Sequence, residues 1–365
     1  MANQTLQLAE LLRTAGADVS LVQVNAPYRP ALAGRLHGIR ALFRLVHYIW
    51  QLWRTAGKVR LFHVMANSGW SWHLFAAPAI WIGWFRGVRV IVNYRGGEAQ
   101  VYFQRSFRRV RPSLRQAALV VVPSGYLQAV FGVFGETTRV IPNIIDQNVF
   151  REGPDTSPTR LAPDGAHGGR ESFTLVITRN LEPIYGIDTA LQAMANIREQ
   201  GCPARMRIAG SGPAERQLRQ LTSELGLEDS VHFEGRLERD AVVVLYGQAD
   251  AMVNPTTVDN MPNSVLEAMA CGLPVISTNV GGVPYLLTDG ETGLLVPTRD
   301  PQALANAILR LFSDRALQQR LRSNALKEVE RYSWHRVRDQ WLTTYHELFS
   351  SNAAAMPRRQ FGGNR

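Results

Sequence analysis

Residues 254–282, NPTTVDNMPNSVLEAMACGLPVISTNVGG, decide how the rest of the chain is interpreted. They contain a polar loop, a short apolar helix and a buried strand. Pro262 is expected in the first helical turn, where its missing N–H would be unpaired in any case, and Gly272 is a typical C-terminal cap. The apolar face of the helix comprises Val265, Leu266 and Met269. Residues 274–277 (PVIS) are then typical of a strand that enters a core.

The start of this helix is a candidate anion site. The backbone N–H groups near Asn263, Ser264 and Val265 have no partner within the helix, and the helix dipole adds partial positive charge. Two carboxylates flank the site: Asp259 in the loop, and Glu267, roughly 8 Å along the axis from the helix start. This separation suits an elongated ligand that contains phosphate. A surface helix with a solvated Glu267 and an ordinary loop Asp259 is the alternative that spacing alone leaves open.

The two carboxylates have seven residues between them, in a stretch that continues LEAMACGLPVI…GGVP. This pattern resembles the E-x7-E region of retaining glycosyltransferases of the GT-B fold, family-four type. The resemblance implies that Asp259 faces the donor sugar, that Glu267 binds the ribose hydroxyls, and that the amides at the helix start hold the diphosphate. Asp259 stands where the family usually has Glu, so its side chain is one methylene shorter. This difference bears on sugar specificity more than on nucleotide binding.

Size and composition predict two folded domains that work in a reducing compartment. The chain has 365 residues, of which 45% are hydrophobic and 19% charged. Two cysteines, Cys202 and Cys271, are too few and too far apart for a disulfide framework or a zinc site. The N-terminal sequence MANQTLQLAELLRTAG is amphipathic and lacks a signal-peptide cleavage site. We therefore expect a cytoplasmic protein, peripheral to the inner face of the plasma membrane if it binds lipid.

A net charge of +10 favours an anionic partner. Five arginines concentrate part of this charge within eleven residues: Arg105, Arg108, Arg109, Arg111 and Arg115. A solvated helix face is the plain interpretation, and contact with anionic lipid headgroups is the functional one. We do not expect a nucleic-acid partner, because no RNA-binding motif with interleaved aromatic residues and no zinc finger accompanies the arginines.

Residues 70–85 form the most apolar run of the chain. His73 and Pro78 interrupt the run, which falls short of the ~20 residues that a membrane span needs, so a buried helix is expected. Its four tryptophans could instead contact a bilayer interface: Trp70, Trp72, Trp81 and Trp84.

The chain opens with a predicted helix that starts near Met1 and ends at Gly16, followed by a predicted strand over residues 18–24. A doubly wound domain normally opens with a strand and a Gly-rich turn. That first strand is missing here, so we expect either a start codon upstream of Met1, which we favour, or a truncated copy.

Two phrases of the first half match the resembled family. Residues 140–146 (VIPNIID) resemble the IPNG(V/I)D segment that precedes its interdomain linker, and residues 152–169 have a linker composition rich in Pro, Gly, Asp and Ser. Arg95 follows a predicted strand at the place where relatives often have a His near the reacting centre. Arg95 cannot act as a base at neutral pH, but it can hold a phosphate or an acidic acceptor. A Gly-rich turn after a strand is the structural alternative.

The second half alternates strands and helices, which predicts a parallel sheet. Relatives have an Arg and, six residues later, a Lys on the donor diphosphate; Arg179 matches the first and Tyr185 replaces the second. The turn with Gly210 and Gly212 resembles the one that lets the backbone approach the nucleotide. Arg236 lies in the strand and loop that border the base in relatives.

Together these features predict an α/β chain of the GT-B fold, with two Rossmann-like domains facing across a cleft. The predicted acceptor-side domain spans residues 1–150 plus a helix, 334–350, that crosses back to it; the donor-binding domain spans 151–333, and 351–365 form a disordered tail. The resemblance implies transfer from a UDP- or GDP-sugar to a glycan or lipid-linked acceptor, with retention at the anomeric carbon. No Asp-x-Asp motif is evident, so neither metal nor cofactor is expected. The alternatives are a nucleotide-sugar epimerase and a non-catalytic or truncated sugar-nucleotide binder.

Overall fold

A computed structural model describes residues 2–24, 40–153 and 172–350. Its first sheet has the order β1-β2-β3-β4, with every strand parallel to its neighbour. The strands are β1 (Leu61–Ala66), β2 (Arg89–Tyr94), β3 (Leu119–Val122) and β4 (Arg139–Val140). The accompanying helices are α1 (Ala2–Thr14), α2 (Arg40–Ala56), α3 (Ala77–Phe85), α4 (Ala99–Leu114) and α5 (Gly125–Val133). Strands β2 and β3 are rich in buried valine and isoleucine, as strands of a sheet covered on both faces must be.

The second sheet has six parallel strands in the order β10-β9-β8-β5-β6-β7. The strands are β5 (Phe173–Thr178), β6 (Ala204–Ala209), β7 (Val231–Gly235), β8 (Ala251–Asn254), β9 (Val275–Thr278) and β10 (Leu294–Val296). The helices are α6 (Ile187–Glu199), α7 (Glu215–Glu224), α8 (Arg239–Gly247), α9 (Asn263–Ala270), α10 (Pro301–Ser313), α11 (Arg315–Val329) and α12 (Trp334–Ser350). The predicted two-sheet α/β architecture is confirmed.

Helix α12 returns to the first sheet, as predicted. Trp341 is fully buried in a cluster with Ile91 and Val121 of that sheet. Arg139 of β4 donates a hydrogen bond to Thr344 Oγ1 at 2.9 Å. The last helix therefore ties the end of the chain to the first half through both apolar and polar contacts.

Three local predictions were wrong. Residues 18–24 are not a strand, and the Val19 carbonyl accepts hydrogen bonds from the Arg13 side chain instead of from a neighbouring strand. Pro262 is not in the first helical turn but is the N-cap, with extended backbone, because its ψ of 116° lies outside the helical range. The run 70–85 is not one buried helix: it combines a π-helix, Trp72–Ala76, with α3, and Trp70 is 78% exposed.

Other predictions lie outside the described residues. The predicted disordered tail, 351–365, and most of the predicted linker, 152–169, belong there, and the exact domain boundaries stay predictions. Among the helices that the structure describes, none combines the length and apolarity that a membrane crossing requires.

Candidate active site

The predicted donor residues follow the carboxyl ends of consecutive strands of the second sheet. Arg179 follows β5, Gly210 follows β6, Arg236 follows β7, and Asp259 lies in the loop after β8. Loops at the carboxyl ends of parallel strands meet along one edge of the sheet, which is where ligands bind in open α/β folds.

Arg179 and Asp259 form an ion pair across this edge, although they are 80 residues apart in sequence. Only 12% of the Arg179 side chain and 13% of the Asp259 side chain are exposed. The Tyr185 ring lies against the Arg179 guanidinium, with its centroid 4.5 Å from the guanidinium carbon. Tyr185, which replaces the expected Lys, therefore holds the arginine by a cation–π contact.

Arg179 keeps an unsatisfied donor. Its buried Nε has no hydrogen-bond partner in the described part of the chain. Burial lowers the pKa of Arg179, and nearby Glu267 opposes this effect. Because a buried donor without a partner costs free energy, this group is poised to bind an acceptor that a ligand brings.

The start of α9 has the free groups that the sequence predicted. Within the described residues, the backbone N–H groups of Asn263, Ser264 and Val265 make no hydrogen bond, and the buried Ser264 Oγ also has none. Helix α9 begins directly after the loop of Asp259. The ion pair and the helix start thus form one polar edge with several unsatisfied donors.

Glu267 is half-buried, four residues after the start of α9. Burial raises its pKa from the ordinary value to about 7, opposed by the positive charges of Arg239 and Arg179 and by a hydrogen bond with Tyr246. The Tyr246 hydroxyl lies 2.6 Å from Thr178 Oγ1, which fixes its position. Glu267 is therefore a carboxylate whose charge changes near neutral pH.

The predicted glycines pack against the protein backbone. A Cβ at Gly210 would overlap the Arg179 carbonyl, and a Cβ at Gly212 would overlap the backbone of Leu181. A Cβ at Gly281 would overlap the Asp259 carbonyl in the same way. Glycine at these positions lets neighbouring loops approach closely enough to place Arg179 and Asp259.

Arg95 lies at the carboxyl end of β2 and contacts the second half of the chain. Its Nη1 donates hydrogen bonds to Gln4 and Asn143, and its carbonyl accepts one from Asn260 Nδ2 at 3.0 Å. Asn143 Nδ2 in turn donates to Asn263 Oδ1 at 2.8 Å. The carboxyl ends of the two sheets therefore face each other and touch at the candidate donor site.

A neutral histidine, His63, contacts Asn93, which in turn contacts Arg95. Burial, together with the positive charge of Arg95, lowers the pKa of His63 to about 3. Arg95 Nε donates to Asn93 Oδ1 at 3.2 Å, and the Asn93 amide lies 3.0 Å from His63 Nε2. An uncharged His63 can accept the Asn93 N–H, which orients the Asn93 oxygen towards Arg95.

A cavity of about 670 Å³ lies between the two halves of the chain. Residues of both halves line it, including Ser124 after β3, Pro142 after β4, and Met261 in the loop before α9. Both halves of the chain therefore line the cavity, next to the hydrogen bond that Asn143 Nδ2 donates to the Met261 carbonyl at 3.1 Å.

The chain matches two family descriptions along most of its length. The sequence pattern of Glycosyltransferase Family 4 matches residues 1–149, and that of Glycosyl transferases group 1 matches residues 167–328. The chain belongs to the family-four glycosyltransferases. The family prediction made from the loop and helix of residues 254–282 is confirmed.

Curated relatives match part of this chain. The chain is 29% identical over 240 residues to the D-inositol 3-phosphate glycosyltransferase of Saccharomonospora viridis, and the match covers 63% of this chain and 54% of that protein. It is 29% identical over 212 residues to the N-acetyl-alpha-D-glucosaminyl L-malate synthase of Bacillus anthracis, covering 58% and 54%. The matches thus span about half the length of these relatives.

Solved structures confirm the GT-B fold. Sucrose-phosphate synthase from Thermosynechococcus elongatus aligns with a TM-score of 0.73 at 25% identity, covering 94% of this chain and 92% of that one. Anabaena HepE in complex with UDP aligns with a TM-score of 0.70 at 22% identity, covering 84% of each chain.

The base-side role of Arg236 stays a prediction, and the structure adds two residues that the sequence analysis did not name. Arg236 is exposed and joins none of the contacts described above, whereas Arg239, three residues later, acts on Glu267 and pairs with Asp146 at 3.2 Å. Sequence reasoning also missed Asn260, which links Arg95 to the loop of Asp259. Asp146 lies within the quoted segment 140–146, so that motif was the available signal for the Arg239 contact.

Proposed function

We propose that this chain transfers a sugar from a UDP- or GDP-sugar to a glycan or lipid-linked acceptor, with retention at the anomeric carbon and without a metal ion. One observation carries the proposal: the Arg179–Asp259 ion pair lies beside the unsatisfied amides at the start of α9. A cation, a helix start and a carboxylate together offer complementary contacts to a diphosphate joined to a sugar.

The donor would bind along the second sheet. Arg179 and the amides of Asn263, Ser264 and Val265 would take the diphosphate, and Glu267 would accept hydrogen bonds from the ribose hydroxyls. Asp259, released from Arg179 by the incoming phosphate, would face the sugar. HepE structures with UDP and with UDP-glucose support a uridine nucleotide as the first donor to test.

Transfer breaks the bond between the anomeric carbon and the diphosphate oxygen and forms a bond from that carbon to an acceptor oxygen, whose proton passes to the departing diphosphate. The departing diphosphate gains negative charge in the transition state. Arg179 and the α9 amides are oriented before the reaction, so they stabilise that charge without reorganising. Closure of the cleft would exclude water, which limits hydrolysis of the donor.

The acceptor would bind on the first half of the chain. Arg95 lies at the contact between the halves, and the cavity lined by Ser124, Pro142 and Met261 offers room for the acceptor. An acidic acceptor would suit Arg95, because burial lowers its pKa only to about 10 and leaves it positively charged. The predicted lipid contact through Arg105, Arg108, Arg109, Arg111 and Arg115 stays a proposal; all five are exposed, and Arg111 pairs with Glu136.

Calorimetric titration with UDP and GDP, alongside Glu267→Ala, tests the donor site. We expect micromolar binding of one nucleotide and its loss in the variant. Incubation with UDP- and GDP-sugars, with and without a glycan acceptor, then distinguishes the activities. An epimerised sugar formed without acceptor would identify an epimerase, and retained binding without turnover would identify a non-catalytic binder. Absence of nucleotide binding by the folded chain would contradict the proposal.

A further inference from the structure

Helix α2 carries apolar side chains on its solvent side as well as on its core side. Its core side contributes Tyr48, Leu52 and Ala56, which are buried. Its solvent side carries Phe43, Val46, Trp50 and Trp53, which are 45%, 59%, 50% and 49% exposed. Spacings of three, four and three residues place these four side chains along one line of the helix. A surface helix of a soluble protein is normally polar on this side.

The end of α3 extends this surface. Trp84 is 50% exposed and Phe85 is 68% exposed, with ring centroids 4.8 Å apart. The Arg86 guanidinium lies over the Trp53 ring, 4.9 Å from its centroid, and so joins the ends of the two helices. We call the resulting surface the aromatic face; it comprises Phe43, Val46, Trp50, Trp53, Trp84 and Phe85.

The sequence that contains the aromatic face carries charge of one sign. Between Asp18 and Glu98 the sequence has no acidic residue and ten Arg or Lys residues. Residues 1–150 contain 17 basic and 5 acidic residues, whereas residues 151–365 contain 23 basic and 25 acidic. Arg54 lies over the Trp50 ring, 4.7 Å from its centroid, so guanidinium groups are interleaved with the exposed rings.

We propose that the aromatic face docks on the surface of an anionic lipid bilayer. Indole rings favour the headgroup region, where their apolar body and polar N–H are both satisfied, and adjacent guanidinium groups can bind lipid phosphates. A second copy of this chain would bring the same positive charge to the contact, which opposes pairing of two such faces. The combination of exposed rings and unopposed positive charge thus fits an anionic bilayer.

This surface differs from the α4 arginines that the sequence suggested, and it includes only Trp84 of the four tryptophans that the sequence placed at a bilayer interface. The arginines of α4 would act through charge alone, whereas the aromatic face would insert apolar side chains between lipids. The inference goes beyond sugar transfer, since docking needs neither donor nor acceptor. Lipid binding can therefore be measured whether or not the proposed activity holds.

The test uses the full chain and vesicles of phosphatidylcholine with about 30% phosphatidylglycerol. Flotation measures the bound fraction, and vesicles with brominated acyl chains quench any tryptophan that inserts. We expect the wild-type chain to bind, with quenched fluorescence and a bound fraction that partly survives about 0.5 M NaCl, because insertion is less sensitive to salt than surface charge. The double variant Trp50→Gln, Trp53→Gln should lower the partition coefficient at least about tenfold and remove most of the quenching.

Two further variants serve as controls. Val133→Gln with Val244→Gln alters apolar residues that are 83% and 57% exposed outside the aromatic face, and should leave binding unchanged. Arg108→Gln with Arg109→Gln tests the α4 arginines and should leave the quenching in place. Thermal unfolding confirms that each variant is folded.

Several outcomes would overturn the proposal. The first is that the chain does not bind the vesicles. The second is that about 0.5 M NaCl abolishes binding while the tryptophan substitutions leave it unchanged. The third is that the quenching depends on Arg108 and Arg109 alone. Sedimentation without lipid tests the competing occupant. A dimer that dissociates in the tryptophan variant would identify the aromatic face as a contact between copies of the chain.

Discussion

Asp259 accepts a hydrogen bond from Arg179 at the carboxyl edge of the second sheet, so the carboxylate assigned to the donor sugar is paired with the cation assigned to the diphosphate. Both side chains are largely buried, and a buried charge that loses its partner is destabilised. An incoming diphosphate would replace Asp259 as the partner of Arg179. The ion pair therefore holds both residues in position before the donor binds.

This arrangement predicts that one substitution leaves UDP affinity equal or higher while it lowers turnover. In Asp259→Asn, Arg179 loses its anionic partner, so UDP should bind as tightly as in the wild type or several-fold more tightly. Turnover should fall at least about 100-fold, because the carboxylate facing the sugar is gone. Calorimetry with UDP and a transfer assay measure the two effects, and UDP affinity that falls along with turnover would contradict the model of competing partners.

The position of Tyr185 beside Arg179 predicts that a lysine at 185 would raise the affinity for the nucleotide's phosphates. Tyr185→Lys would add a second cation beside Arg179 and should strengthen nucleotide binding by about three- to tenfold, since a charge-assisted hydrogen bond replaces a ring contact. Tyr185→Phe is the matched control, because it keeps the ring over the guanidinium and should bind like the wild type. A Phe variant that loses binding would show that the hydroxyl, and not the ring, matters.

Glu267 predicts a dependence of donor affinity on pH. With a pKa of about 7, the free protein is mostly protonated at this site at pH 6 and mostly ionised at pH 8. If the ribose hydroxyls bind the ionised form, affinity for a UDP-sugar should rise about tenfold over this interval. A UDP-sugar is the appropriate ligand because its diphosphate does not titrate in this range.

Glu267→Gln should flatten this profile. The same raised pKa means that the contribution of Glu267 to folding stability is lost as pH rises through about 7, so the variant should gain stability relative to the wild type at pH 8. Arg239, Arg179 and Tyr246 all face Glu267 and stay unchanged in the comparison. An identical rise of affinity in the Gln variant would assign the titration to another group.

The close packing of Gly212 against Leu181 predicts that a larger residue at position 212 lowers both folding stability and nucleotide affinity. A Cβ at Gly212 would overlap the Leu181 backbone, so Gly212→Ala should lower the free energy of unfolding by about 1–3 kcal/mol and weaken nucleotide binding through displacement of Arg179. Gly132→Ala in α5 is the control, because its Cβ meets nothing within 4 Å. Denaturant unfolding and calorimetry compare the two, and equal stabilities would show that the 210–213 turn adapts.

The sequence by itself determined the features that depend on local pattern. The apolar spacing of Val265, Leu266 and Met269 and the glycine at 272 predicted α9 and its end. The run 274–277 predicted the buried strand that follows, which the structure has at Val275–Thr278. The same stretch, with its two carboxylates, was enough to predict the family and the GT-B fold, because the loop, helix and strand are consecutive in sequence.

Only the tertiary structure decided the features that depend on partners distant in sequence. The segment 18–24 has the composition of a strand but joins neither sheet, and its Val19 carbonyl accepts a hydrogen bond from the Arg13 side chain. The stacking of Tyr185 on Arg179, the link from Asn260 to Arg95 and the outward direction of Trp50 and Trp53 likewise depend on packing. Periodicity shows that a helix has an apolar stripe, but whether a second stripe faces solvent is decided by what the folded chain places against it.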